Sequence, residues 1–215
     1  MGKSVYSLVL SDEVIEAVDR AAHRAGMSRS AYINEALAQA VSYVTPEKRV
    51  NDIFACVEQL MNSDIFRIMP RPSETALALR SALHYKYNPV IRYTIEFSKN
   101  DTRLSAKVTA YLRTQSAALI SYYTAFLALW ISLDGASSGS EYTYSVEREK
   151  FTRYFDETVD QRLSDNAIAS ALSEYVTVFD ELINLYFSDA DDPASAEAAV
   201  RKRYRELMSS GNILK

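Results

Sequence analysis

The sequence predicts a mostly α protein with minor β. It reads as a small strand–helix–helix module over residues 1–45 and a larger, predominantly helical domain over residues 46–215 that carries one β-hairpin near residues 90–112. Three observations lead there. A short alternating strand runs into two capped helices joined at a glycine. Two alternating apolar runs flank a polar turn. Apolar residues recur at helical spacing through most of the remaining chain.

The composition bounds the class. Of 215 residues, 48% are hydrophobic and 24% charged, as in ordinary globular proteins. The net charge of −4 argues against a chain coated in basic surface, but a local nucleic-acid face depends on where the charges lie. Cys56 is the only cysteine, so no intrachain disulfide is expected and a cytoplasmic location fits. Lys3 is not followed by an apolar h-region with a small-residue cleavage site, so no signal peptide is expected.

In the first module, Tyr6, Leu8 and Leu10 alternate with Val5, Ser7 and Val9, which puts the two sets on opposite faces of a strand. Ser11 is placed to cap the next helix, with Asp12 and Glu13 suiting the positive end of its dipole. Val14, Ile15, Val18, Ala21, Ala22 and Ala25 form an apolar stripe that ends at Gly26. Ser28 caps a second helix whose apolar side includes Ile33, Ala36 and Leu37. A segment this short cannot bury a core alone, so it needs a partner.

The stretch VYSLVLSDEVIEAVDRAAHRAGMSRSAYINEAL resembles the ribbon-helix-helix family of DNA-binding proteins, the class of the Arc and MetJ repressors. The resemblance covers about a fifth of the chain, on the order of a supersecondary unit. It implies a homodimer in which two strands pair antiparallel and enter the major groove of an operator. By that resemblance Tyr6, Leu8, Leu10, Ile33 and Leu37 form the dimer core, and Lys3, Val5, Ser7 and Val9 face the bases. Ser28 and Arg29 would hold a phosphate at the helix N-terminus. The sequence departs from the family on the DNA side, where Val5 and Val9 replace hydrogen-bonding residues. Valine touches a thymine methyl but cannot bond a base edge. The alternative is a ribbon that only dimerises.

Thr45 to Lys48 reads as a hinge. Val50, Ile53, Phe54, Val57, Leu60 and Met61 then follow helical spacing. Pro70 and Pro72 break the chain, and SETALALRSAL reads as a helix that ends near His84, with a turn at Asn88-Pro89. Ile91, Tyr93, Ile95 and Phe97, and later Leu104, Ala106, Val108, Ala110 and Leu112, alternate as the two strands of the hairpin. Residues 114–133 contain no charge; the interrupting serines and threonines favour a central buried helix over a membrane span. YSVEREKFTRYFDETVDQRL reads as a helix, followed by one capped by Ser164 or Asp165 and a last one with Pro193 in its first turn.

The search for chemistry yields little. His23 and His84 have no ligand-spaced partners, and Cys56 sits on an apolar helical side. No metal site, cofactor or catalytic arrangement is expected, so the chain does not read as an enzyme. Fifteen tyrosines are many for this length, and several flank basic residues around the hairpin. Tyr85, Tyr87, Arg92, Arg103 and Lys107 are the candidate partner surface, suited to single-stranded nucleic acid or to a protein.

The expectation is a transcriptional regulator, a repressor or autorepressor, whose dimeric module binds double-stranded operator DNA. The larger domain would add oligomerisation or a protein partner, with no membrane contact. The alternative is a protein-binding effector of a mobile element, either an antitoxin or an inhibitor of a host defence nuclease. Its small module would then dimerise it or regulate its gene.

Overall fold

The computed structural model describes residues 7–41, 43–100, 103–138, 144–147, 150–155 and 164–209. The chain divides into two compact units, Met1–Arg49 and Val50–Lys215. In the first, α1 spans Asp12–Arg24 and α2 spans Arg29–Ala40. Between them the chain reverses at Gly26, whose φ of 65° is a left-handed value open to glycine. Met27 N–H donates to the Ala22 carbonyl at 2.9 Å and Gly26 N–H to that of His23 at 3.2 Å. Those two bonds make the Schellman closure of a helix end. Helix α3, Pro46–Leu60, follows. The expected hinge at residues 45–48 is instead its start. Thr45 Oγ1 accepts from Lys48 N–H at 3.2 Å, and Pro46 takes the first helical position, where no N–H is needed.

The second unit corrects the expected fold class. It is not a helical domain with one hairpin: it holds a six-stranded antiparallel sheet in the order β1-β2-β3-β4-β6-β5. The strands are β1 Arg67–Ser73, β2 Ala76–Ala82, β3 Val90–Asn100, β4 Arg103–Leu112, β5 Tyr144–Glu147 and β6 Lys150–Phe155. The helices are α4 Ala117–Ser138, α5 Asp165–Ser188 and α6 Pro193–Ser209. The expected hairpin is β3–β4, paired from Ile91 with Leu112 through Asn100 with Arg103. Two further hairpins, β1–β2 and β5–β6, stand where the sequence predicts a break plus a helix and a helix.

The physical reasons differ. β1 is an edge strand, where prolines that cannot donate to a ladder are tolerated. Register slips between Met69 and Ser73, across Pro70 and Pro72, as an edge irregularity. β2 opens with four residues of Ala and Leu, which favour helices. Ala76, Leu77, Ala78 and Leu79 are all buried, and that burial overrides propensity. In β6 the side facing the helices reads Phe151, Arg153, Phe155, so a charge interrupts the alternation.

The helices cover one face of the sheet. Phe179 on α5 packs against Tyr93 of β3 and stacks on Phe151 of β6. Phe54 of α3 meets Phe97, and Tyr123 Oη of α4 donates to the Ala110 carbonyl of β4. The central helix is α5 rather than α4, whose only charged residue is Asp134. From Ile168 to Phe187 it buries residues on most of its circumference. Helix α4 buries Tyr123, Phe126, Leu127, Leu129 and Trp130 on one side. Over Ala117–Gly135 it is long and apolar enough to cross a membrane by length and composition, with 33% of that window buried inside the fold.

Candidate functional site

Residues Met1–Arg49 bury very little. Ala22, Ala38 and Thr45 are their buried described residues. Leu8 is 59% exposed, Val9 102%, Leu10 39% and Leu37 54%, while Ile33 is half-buried. Of the expected base-facing and dimer-core residues, Lys3, Val5 and Tyr6 lie outside the described residues. Ser7 and Val9 are exposed, and residues 7–11 have no regular structure in the single chain.

Ser28 Oγ accepts from Ala31 N–H at 3.2 Å, so its hydroxyl caps α2 as its sequence position suggests. The Arg29 side chain grips Asp19 of α1 with two bonds, Nε to Oδ1 and Nη2 to Oδ2, each 2.5 Å. The hydrogen bonds from Arg29 hold the Asp19 carboxyl below its usual range and raise the guanidinium. The pair is exposed and ties the two helices side to side. A phosphate drawn to Arg29 would compete with Asp19.

Within the second unit, the five residues of the expected partner surface do not come together. Arg92 and Lys107 point to the sheet face opposite the helices, and Lys107 is paired with Glu96 across the strands. Tyr85 packs edge-on against Tyr122 and Phe187 on the helix side. Tyr87 is 101% exposed in the β2–β3 turn, with a left-handed φ of 66°. Arg103 opens β4 at the opposite end of the sheet, paired in register with Asn100; its side chain lies outside the described residues.

Two buried polar clusters had no signal in the spacing of the sequence. Arg153 is 2% exposed; its Nη1 donates to Asp134 Oδ1 at 2.8 Å, and its guanidinium lies over the rings of Phe155 and Tyr175 at 4.6 and 4.7 Å. Tyr175 Oη donates to Asp134 Oδ2 at 3.4 Å and accepts from Trp130 Nε1 at 3.1 Å. Burial raises the Asp134 carboxyl, and the Arg153 charge only partly offsets it. In the second cluster Asp180 is 3% exposed and accepts from Ser81 and, at 2.8 Å, from Tyr93 Oη. Asn184 Nδ2 donates to its other oxygen at 3.2 Å. Burial pushes this carboxyl up as well, against those hydrogen bonds and the nearby His84. Both clusters are enclosed, and they fasten α4 and α5 to the sheet.

Other features also have structural uses. Cys56 Sγ donates to Asn166 at 3.0 Å. Asp192 Oδ1 caps α6 by accepting from Ala194 and Ser195 N–H at 3.2 and 3.1 Å. Near the C-terminus, Tyr204 is buried against Trp130, and Arg203 bonds Glu181. Among the described residues no three His, Cys, Asp or Glu side chains gather to hold a metal ion. No family model, curated protein or solved structure matches this chain.

Proposed function

We propose that the protein is a cytoplasmic DNA-binding regulator that works as a homodimer through residues 1–45, with a ribbon formed by two copies of the first strand. The observation that carries this reading is the exposed apolar set Leu8, Leu10 and Leu37 on a unit with almost no interior of its own. Such a unit gains stability by closing on a second copy. In the dimer Leu8, Leu10, Ile33 and Leu37, with Tyr6, cover one another. Ser7 and Val9, with Lys3 and Val5, meet the operator.

The capped start of α2 supports a phosphate contact. Among the described residues the N–H groups of Arg29 and Ser30 have no acceptor, and Ser28 already orders that turn. The test is a salt titration of binding to the DNA upstream of the protein's own gene. Arg29→Ala is expected to reduce the slope of log K against log salt by about 0.9. Asp19→Asn is expected to raise affinity by freeing Arg29. Equal, non-specific binding to any duplex would overturn the regulator reading and leave residues 1–45 as a dimerisation device.

A further inference from the structure

The sheet face turned away from the helices carries a charge pattern that folding does not use. Strand register sets one row of side chains across it. Arg67 lies beside Arg80, Arg80 beside Arg92, Arg92 beside Tyr111, Tyr111 beside Lys150, and Lys150 beside Glu147 of the edge strand β5, where the row ends. Like charges directly opposite one another on neighbouring strands repel. Arg67, Arg92 and Lys150 are exposed and Arg80 is half-buried. No carboxylate pairs with any of the four among the described residues, and Glu96 on the same face is taken by Lys107.

The next row along the strands begins at Met69 on β1 and is small across β2, β3, β4 and β6: Ala78, Thr94, Thr109 and Thr152, of which Ala78, Thr109 and Thr152 are buried. Beyond it lie Lys107 and Tyr154, beside an open depression of about 410 Å³. Two residues along a strand advance ~6.7 Å, so the basic row and the Lys107–Tyr154 row are ~13 Å apart with a low floor between them. Strands are ~4.8 Å apart, so Arg67 to Lys150 spans ~19 Å along the row. This is a shallow track with cations along one border and a tyrosine on each side.

We propose that this face binds single-stranded nucleic acid laid across the strands. The backbone phosphates follow Arg67, Arg80, Arg92 and Lys150, and unpaired bases stack on Tyr111 and Tyr154. Phosphate contact plus aromatic stacking is the chemistry of sequence-tolerant single-strand binding. A duplex keeps its bases stacked inside and cannot use the tyrosines. The proposal uses no residue of the first unit, so it stands or falls apart from operator binding.

The test is fluorescence anisotropy of the full chain with a labelled oligothymidine of ~20 nucleotides, a length matched to site sizes of stacking platforms. The alanine triple at Arg67, Arg80 and Arg92 is expected to weaken binding at least ~10-fold and to reduce the salt slope by about 2, at ~0.7 for each lost contact. The lysine triple, which keeps the charge, is expected to retain the slope, and melting curves of both triples should match the parent. Tyr111→Ala is expected to weaken binding about fivefold through lost stacking. Ser28→Ala with Arg29→Ala should leave single-strand affinity unchanged. The proposal is overturned if the parent does not bind the oligonucleotide, or if the alanine triple keeps its affinity and slope. It is equally overturned if Tyr111→Ala has no effect while heparin or polyglutamate competes as well as oligothymidine, since the face would then hold any polyanion.

Discussion

Arg153 of β6 and Asp134 of α4 form an ion pair inside the fold, 2.8 Å apart, with the arginine 2% exposed and its guanidinium over two aromatic rings. A buried pair adds little over well-packed apolar residues, yet losing one partner strands a charge. Replacing Asp134 by Ala is therefore expected to lower the unfolding free energy by about 3–5 kcal/mol. The double change Arg153→Met with Asp134→Leu should lie closer to the parent than the single one. Urea unfolding of the three proteins decides it: a double variant no more stable than Asp134→Ala would mean the two side chains are not coupled.

Asp180 gives a pH dependence whose sign can be stated. Burial raises its folded-state pKa above the ordinary value of 3.8. Folding thus favours the protonated carboxyl. The associated stability is complete below the ordinary value and is lost as pH rises through the folded-state one. Relative to Asp180→Asn, which does not titrate, the parent should lose stability as pH climbs from about 4 towards neutrality. A difference that grows with pH would contradict the assignment. Asp180→Ala should cost about 3 kcal/mol at pH 4 and less as pH rises, because the Ser81 and Tyr93 hydroxyls lose their acceptor.

Tyr87 occupies a left-handed backbone conformation at a fully exposed turn. That conformation costs a non-glycine residue roughly 1–2 kcal/mol, part of which glycine returns as lost chain entropy. Tyr87→Gly is expected to stabilise the protein by about 0.5–1 kcal/mol in thermal unfolding. Destabilisation would mean the tyrosine ring holds the turn.

Leu37 is 54% exposed on α2. If it lies in a dimer core, Leu37→Glu should leave a monomer at concentrations where the parent sediments as a dimer. The second unit should unfold at an unchanged temperature. A parent that sediments as a monomer throughout would remove the basis for the dimer.

How much of this was legible in the sequence depended on whether burial was one-sided. The β3–β4 hairpin stood out because Ile91, Tyr93, Ile95 and Phe97 face helices while Arg92, Thr94 and Glu96 do not. β2 was hidden because its first four residues are buried on both faces, and an Ala-Leu run carries no period of two. β6 was hidden because Arg153 sits where an apolar residue was required, its charge answered by Asp134, which lies 19 residues earlier in the chain. The basic row was lost with them. Arg67 fell in a segment read as a break, Arg80 in one read as a helix and Lys150 in another. Only strand register makes them neighbours. The cap at Ser28 and the turn at Gly26 were readable because they depend on residues three to five apart.

The strand order also shapes how the protein is made. β1 to β4 form a meander in which each strand pairs with the next, so those contacts close early and over short loops. Their cover, α5, begins only at Asp165. During synthesis a four-stranded sheet can exist while Leu77, Leu79, Tyr93 and Ile95 still lack the helix that buries them. The nascent chain passes through an interval of exposed apolar surface, which is the state chaperones hold. A ribosome that stalls before α5 would release a sticky sheet, whereas one that stalls after Ser188 would release a chain able to close.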